Sequence, residues 1–233
     1  HDARLNREGA APLGIALTRF RDIPPREALR MAAEGEGLIL DTRSYAEFGR
    51  AHVPGSLNVG LEGRYAAWVG TVLDPTTPLI LISEDGDETE AAIRLARVGY
   101  ENALGYIAGG LEAWRSEGLP IRDLRQFDVQ ELSRSLANGE MCVMDVRGPG
   151  EWEDGHISRA VHRPLPKLVY DPAEKMHKKP LAVICGSGYR SSIACSLLER
   201  SGYCGPLINV VGGMEAWRAS GLPESKSPEP SSH

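Results

Sequence analysis

The sequence carries one pattern twice, and this repeat constrains the fold more than any other feature. Residues 38–59, LILDTRSYAEFGRAHVPGSLNV, align with residues 142–163, CVMDVRGPGEWEDGHISRAVHR, and GGLEAWRSEGLP (109–120) aligns with GGMEAWRASGLP (212–223). The first alignment pairs Asp41 with Asp145, Arg43 with Arg147, Glu47 with Glu151, and His52 with His156. A period of about a hundred residues is the size of a domain, so the repeat predicts two copies of one domain.

The predicted domains span residues 14–120 and 125–223 of the 233-residue chain. The segment between them, residues 121–124, is short, which favours packing of the two domains against each other. Residues 1–13 are predicted to be a tail or an incoming linker. Residues 224–233, ESKSPEPSSH, are rich in Ser and Pro and are predicted to be disordered. Because the chain begins at His1 and not at Met, we expect a fragment or a processed product.

Within each copy, short apolar runs alternate with amphipathic stretches. This alternation predicts an α/β domain whose sheet is open and mainly parallel, with helices on both faces. In the second copy the strands are predicted near residues 125–127, 141–145, 181–184 and 207–210. Asp128 is predicted to cap a helix over residues 129–137, which closes at Asn138 and Gly139. The first copy has a matching helix over residues 25–33, closed by Gly35.

A cysteine follows one of these strands in the second copy. Residues 185–190, CGSGYR, here called the Cys185 loop, lie between a predicted strand and a predicted helix, where open α/β sheets bind ligands. Its glycines allow backbone N–H groups to turn inward around an anion. The helix N-terminus and the arginine both favour a thiolate. We therefore predict Cys185 as a nucleophile, and as substrate-binding residues Gly186, Ser187, Gly188, Tyr189 and Arg190.

The first copy fills the same loop with acids. Ser83 stands in place of Cys185 and Glu88 in place of Arg190, within residues 83–88, SEDGDE, here called the Ser83 loop. This loop has no thiol, and its carboxylates would repel an anion. We predict that the first copy is catalytically inactive and that its role is structural.

Composition and charge exclude several classes of function. The net charge of −6 and the lack of extended Lys/Arg clusters argue against a nucleic-acid-binding surface. No apolar stretch approaches the roughly 20 residues of a membrane span, and no secretory signal opens the chain. The missing span and signal predict a cytoplasmic location. The four cysteines lack the spacing of a disulfide framework or a zinc site, so we predict reduced thiols. The resemblance described next implies that neither a metal nor a cofactor is needed.

Four motifs in order resemble the rhodanese (sulfurtransferase) family. They are Asp145 with Arg147, residues 151–157 (EWEDGHI), the Cys185 loop, and residues 212–217 (GGMEAW). The resemblance covers nearly the whole chain and implies a two-step transfer. In this transfer Cys185 takes sulfane sulfur from thiosulfate or a low-molecular-weight persulfide, holds it as a persulfide, and passes it to a thiol or cyanide. It also implies that the first domain completes the wall of the active pocket.

The loop sequence narrows the resemblance further. Thiosulfate and 3-mercaptopyruvate enzymes commonly place Val-Thr after the second loop glycine, whereas this chain has Tyr189 and Arg190. This pattern is more similar to the rhodanese pairs fused behind a persulfide dioxygenase of the metallo-β-lactamase type. The resemblance therefore implies such a dioxygenase as a possible upstream partner, although no dioxygenase motif, and so no iron site, is present in this chain.

Two other functions remain open. Rhodanese-fold phosphatases and arsenate reductases place five residues between Cys and Arg, whereas the Cys185 loop places four, which disfavours oxyanion chemistry. A non-catalytic partner-binding module is supported only by the thiol-less first copy. The remaining candidates are interpreted as structural: Cys142 and Cys195, His52 and His156, Asp145 and Arg147, and Trp114 and Trp217. Cys204 is interpreted as structural or exposed, and resolution of a Cys185 persulfide as a disulfide stays open as its alternative role.

Overall fold

The computed structural model describes residues 20–170 and 180–226. The chain divides between Asp123 and Leu124 into two compact units, and each is described here by itself. Within the described residues, no helix has the length and apolar character needed to cross a membrane. The same residues contain no cluster of three His, Cys, Asp or Glu side chains arranged to hold a metal ion.

The first unit is a five-stranded sheet in the order β1-β5-β4-β2-β3, and all its strand pairs are parallel. Its strands are β1 (Arg21–Ile23), β2 (Leu38–Asp41), β3 (Leu57–Asn58), β4 (Leu79–Ile82) and β5 (Ala103–Ile107). Its helices are α1 (Pro25–Ala33), α2 (Tyr45–Arg50), α3 (Tyr65–Val72), α4 (Glu88–Ala96) and α5 (Gly110–Ser116).

The second unit repeats this topology with the strand order β6-β10-β9-β7-β8, again with all strand pairs parallel. Its strands are β6 (Arg125–Phe127), β7 (Cys142–Asp145), β8 (Val161–His162), β9 (Leu181–Ile184) and β10 (Leu207–Val210). Its helices are α6 (Val129–Ala137), α7 (Pro149–Glu153), α8 (Leu165–Tyr170), α9 (Tyr189–Arg200) and α10 (Gly213–Ala219). The predicted fold, two α/β domains with parallel open sheets, is confirmed.

The central strand of each sheet is apolar along its whole length. All four residues of β4 (LILI) and of β9 (LAVI) are buried, as expected for parallel strands covered by helices on both faces. Trp114 and Trp217 lie in the two hydrophobic cores, and each indole N–H donates to a proline carbonyl, those of Pro120 and Pro223. The duplicated tryptophan is therefore a core residue in each unit.

The helix boundaries follow local capping signals that are visible in the sequence. Asp128 accepts a hydrogen bond from Glu131 N (2.7 Å) while the Glu131 carboxylate accepts one from Asp128 N (2.9 Å), a capping box that starts α6. Gly139, just after this helix, has φ +68°, a conformation that favours glycine. The predicted bounds of α6 and its capping residue are confirmed.

The duplicated acid and arginine form a buried ion pair in each unit. The Arg147 guanidinium donates to both carboxylate oxygens of Asp145 and to the carbonyl of Gly155 (2.8 Å). Arg43 does the same with Asp41 and the carbonyl of Ala51. The pair connects the end of a strand to the backbone one or two residues after the next helix. Its contacts are structural in both units.

The duplicated histidines also make the same contacts in both units. His52 stacks on Phe48 and bonds through Nδ1 to the Phe48 carbonyl, and His156 does the same with Trp152. In addition, the backbone of His156 pairs with Ser225 in an antiparallel bridge. In both units the histidine side chain contacts the aromatic residue four positions earlier, and this shared structural role explains why the histidine is present in both copies.

Three details differ from the sequence-based expectations. The short strand β8 is not expected from its sequence, because two residues are too few to show a periodic pattern. Cys142 is only half-buried. The C-terminal tail begins later than residue 224, since Ser225 pairs with His156 and Glu224 binds Arg218 (3.0 Å). The rest of that tail, from residue 227, and the N-terminal tail lie outside the described residues.

Candidate active site

The Cys185 loop lies at the carboxyl end of the central strand of the second sheet. Strand β9 ends at Ile184, Cys185 follows directly, and α9 begins at Tyr189. Cys185 is only 1% exposed, so its sulfur lies at the base of the loop. The predicted loop residues are thus brought together at the sheet edge where open α/β folds bind ligands.

Backbone hydrogen bonds from the start of α10 anchor the Cys185 loop. Three of its carbonyls, those of Cys185, Gly186 and Ser187, accept hydrogen bonds of 2.8–3.0 Å from backbone amides at residues 212, 214 and 215. These amides belong to the first turn of a helix, where N–H groups have no partner within the helix. Because these loop carbonyls are bound by α10, they are not directed at the sulfur.

This anchoring requires a glycine at the point of closest approach. Gly213 has φ +53°, and a Cβ built on it would lie 2.4 Å from the carbonyl oxygens of Cys185 and Gly186. No side chain fits such a space. Gly213, the second glycine of the GGMEAW motif, is therefore the residue against which the Cys185 loop packs.

Within residues 20–170 and 180–226, the sulfur of Cys185 has two polar contacts. Gly188 N donates to Sγ (3.1 Å), and the Ser191 hydroxyl lies 3.4 Å from Sγ. Gly188 has φ +113° and caps α9, so its backbone conformation is one that favours glycine. The first helical hydrogen bond of α9 runs from Ser192 N to Gly188 O (3.3 Å), which leaves the earlier amides outside the helical ladder. A sulfur anion here faces a backbone N–H, a hydroxyl and the positive end of a helix dipole.

Arg190 is the last residue of the Cys185 loop, and its positive charge is paired with an acid. Its guanidinium forms a two-point ion pair with Glu151 on α7, at 2.6 and 2.7 Å. The hydrogen bond to Glu151 raises the pKa of Arg190, and the same bond lowers the pKa of Glu151. Since the carboxylate keeps its charge at neutral pH, Arg190 and Glu151 present a neutral pair at the rim. The isolated positive charge expected from the sequence is therefore compensated.

This pairing predicts an effect on anionic donors. In Glu151→Gln the charge of Arg190 is no longer compensated, and a doubly charged donor such as thiosulfate should then bind better. For thiosulfate, a donor that the resemblance to sulfurtransferases implies, we expect kcat/KM to rise on the order of threefold to tenfold, and the gain to shrink as salt is added. Steady-state rates of sulfur transfer to cyanide check this.

Glu153→Gln is the matched control for that substitution. It removes the same charge from the same helix at an exposed position, and kcat/KM should change little. A lower thiosulfate rate in Glu151→Gln would mean that the ion pair holds Arg190 in its productive position. The pair itself should be lost only as the pH falls through the lowered pKa of Glu151.

The Ser83 loop of the first unit lacks these features. Ser83 accepts a hydrogen bond from the Thr42 hydroxyl (2.8 Å), and a Cβ built on Gly110, the counterpart of Gly213, would lie 3.8 Å from the Ser83 carbonyl. Among the described residues, no backbone hydrogen bond joins this loop to the start of α5. A pocket of about 430 Å³ opens here, lined by both acidic and basic side chains. The first unit therefore has neither the thiol nor the anchored loop.

Sequence reasoning missed two parts of the site. The first is the contact between Glu151 and Arg190, because the repeat aligns Glu151 with Glu47, which pairs with Arg50 in the first unit, and so gives no signal for a contact with the loop. The second is the buried polar pair Ser191 and Asn209 behind the sulfur. An asparagine inside the apolar run LINV was the available signal.

The other cysteines do not share this environment. Cys195 is buried in α9, and its burial raises the pKa of its thiol above the ordinary value. Cys204 is exposed, and its thiol donates to the carbonyl of Gly202 (3.1 Å). All four cysteines are free thiols. Cys185 is the cysteine that combines a loop amide, a hydroxyl and a nearby arginine.

Comparisons with known proteins agree with this architecture. The sequence profile described as "Rhodanese-like domain" matches residues 24–117 and 128–220. A protein named sulfurtransferase from Allochromatium vinosum is 34% identical over 101 residues, which cover 43% of this chain and 94% of that protein. The putative sulfurtransferase YtwF from Bacillus subtilis is 36% identical over 105 residues, which cover 44% of this chain and 99% of that protein.

One domain-sized part of this chain also aligns with a solved structure. A rhodanese-related protein from Thermoplasma volcanium is 28% identical, with a TM-score of 0.40, over 44% of this chain and 99% of that one. The two profile matches fall in the two units and together cover most of the sequence. The chain therefore belongs to the rhodanese family and contains two rhodanese-like domains in tandem.

Proposed function

We propose that the second domain is a sulfurtransferase that carries sulfane sulfur as a persulfide on Cys185. One observation carries the proposal: the Cys185 sulfur accepts the Gly188 N–H while the loop carbonyls are bound on the far side by α10. A backbone arranged in this way favours negative charge at the sulfur and at an atom attached to it. Relatives named sulfurtransferase support the same chemistry.

The reaction consists of two displacements at sulfur. The Cys185 thiolate attacks the outer sulfur of a donor, the new bond forms to Sγ, and the old S–S bond breaks with its electrons leaving on the donor. A persulfide donor leaves as a thiolate and thiosulfate leaves as sulfite. An acceptor thiolate or cyanide then attacks the outer sulfur and releases the Cys185 thiolate. Atoms and electrons balance in both steps without an added oxidant or reductant.

The two other functions are less well supported. A phosphatase or arsenate reductase needs a guanidinium free to hold a tetrahedral oxyanion, whereas Arg190 is paired with Glu151. A purely partner-binding role would leave the anchored loop and its thiol without a use. The first domain, which lacks the thiol, is proposed to be catalytically inactive.

The finer assignment rests on the loop sequence. Tyr189 and Arg190 after the second loop glycine favour a rhodanese pair of the type associated with metallo-β-lactamase-like persulfide dioxygenases. Its donors would then be low-molecular-weight persulfides or thiosulfate, and its acceptors thiols. Four free cysteines fit a reducing compartment, and we propose the cytoplasm.

A covalent intermediate provides the test. After incubation with glutathione persulfide or thiosulfate and removal of the donor, the peptide that contains Cys185 should gain about 32 Da, the mass of one sulfur atom. Addition of cyanide should remove this mass and yield thiocyanate. A protein that keeps its original mass with both donors, or gains it only at Cys204, contradicts the proposal.

A further inference from the structure

Two buried polar side chains lie directly behind the Cys185 sulfur. Ser191, in the first turn of α9, and Asn209, on β10, are both 0% exposed. The Ser191 hydroxyl lies 3.4 Å from Sγ and donates to Asn209 Oδ1 at 2.6 Å. The three side chains form a continuous row from the sulfur into the core.

The row contains one unused donor. Asn209 Nδ2 is buried and has no hydrogen-bond partner among the described residues. A buried donor without an acceptor costs free energy, so some state of the site is expected to use it. Rotation of the Asn209 amide by 180° exchanges its oxygen and nitrogen without changing its shape. Nδ2 then lies where Oδ1 was, within reach of the Ser191 oxygen.

The two amide orientations suit two charge states of the sulfur. When the Ser191 hydroxyl donates its hydrogen bond to Asn209 Oδ1, the Ser191 oxygen can act toward Cys185 only as an acceptor. Cys185 must then be the neutral thiol, which has a proton to donate. When Asn209 Nδ2 donates to Ser191, the hydroxyl proton is free to point at the sulfur, which suits the thiolate. The donor-to-acceptor direction of the hydrogen bonds along this row therefore depends on whether Cys185 is protonated.

We propose that Ser191 and Asn209 form a hydrogen-bond relay that reverses direction when Cys185 ionises and so stabilises its thiolate. The inference rests on the proposed sulfur transfer, in which that thiolate is both the attacking group and the group released by the acceptor. In the thiolate state the Ser191 hydroxyl turns its proton to the sulfur, 3.4 Å away, while Gly188 N donates from the loop. Asn209 is a positioning residue that acts through Ser191.

The first domain provides an internal comparison. The positions of Cys185, Ser191 and Asn209 are occupied there by Ser83, Thr89 and Tyr106. Thr89 is exposed and Tyr106 is only partly buried, so neither fills the buried polar position of its counterpart. The same fold therefore forms without the relay. Cys185, Ser191 and Asn209 are therefore all replaced by other residues in the copy that lacks the thiol.

The test measures how readily Cys185 is alkylated as a function of pH, in the full chain. In Ser191→Ala the midpoint of the iodoacetamide profile at Cys185 should move up by about one pH unit, and the rate at pH 7 should fall about tenfold. Ser191→Thr keeps the hydroxyl and should restore most of the rate. Ser196→Ala is the matched control, since Ser196 is buried in the same helix but bonds to the Ile193 carbonyl.

A second variant separates the relay from simple packing. Asn209→Asp keeps the shape but, when ionised, offers only acceptors and adds a negative charge. The Ser191 hydroxyl must then donate away from the sulfur, and the profile should move up at least as far as in Ser191→Ala. Wild-type profiles in Ser191→Ala and Asn209→Asp, with folding verified by circular dichroism, would overturn the relay. Alkylation needs no sulfur donor, so a failure of the proposed transfer would be seen separately, as the absence of the 32 Da adduct.

Discussion

Replacement of Cys185 by Ser is expected to abolish sulfur transfer with every donor. A hydroxyl oxygen in this loop cannot accept sulfane sulfur and release it again, and serine does not ionise at neutral pH. We expect kcat to fall to the uncatalysed background, a loss of at least about a thousandfold. Thiocyanate formation from thiosulfate and cyanide, and thiol persulfidation from glutathione persulfide, both measure it.

The control for this loss is another thiol of the same chain. Cys204→Ser removes an exposed sulfur and should leave both rates within about twofold of the original. Turnover that persists in Cys185→Ser but disappears in Cys204→Ser would move the chemistry to a different cysteine. Hydrolysis of a phosphate ester that depends on Cys185 would instead favour the phosphatase alternative.

Gly213→Ala is expected to produce the second largest effect, through the anchoring of the loop. The new Cβ would lie 2.4 Å from two loop carbonyls, so the loop must move away from α10, and this movement disturbs the Gly188 N–H that donates to the sulfur. We expect a loss of about a hundredfold in kcat/KM. A lower melting temperature of the second domain should accompany it.

Gly110→Ala in the first domain separates this steric effect from backbone strain. Gly110 and Gly213 have nearly the same φ, +56° and +53°, so alanine at either position carries a similar strain of about 1–2 kcal/mol. At Gly110, however, the nearest carbonyl is 3.8 Å from the new Cβ. Thermal unfolding and transfer rates of both variants decide the matter. Equal activity loss in the two would show that the loop seat is not the cause.

The features that the sequence predicts correctly are local ones. The alternation of apolar runs and helices, the capping box at Asp128 and the position of Cys185 after β9 each depend on residues a few positions apart. Their physical causes, burial of strands and satisfaction of helix ends, act within one element. This explains why the bounds of α6 and β9 match the structure.

The features it does not predict depend on which strands become neighbours. β9 lies between β7 and β10, and this order brings Glu151 to Arg190 and Asn209 to Ser191. Alternation of strands and helices indicates a parallel sheet but does not fix the order of its strands. The ion pair that compensates Arg190 and the polar pair behind Cys185 therefore required the three-dimensional arrangement.

The unanchored Ser83 loop has a consequence for how the two halves have diverged. A single codon change could place a sulfur at position 83, but that atom would enter a loop rich in carboxylates, whose carbonyls are not bound by the first turn of α5 among the described residues. The chemistry proposed for Cys185 would therefore require further replacements around such a sulfur. A thiol alone would not make the two domains equivalent, because they differ in the support of the loop as well as in the side chain it carries.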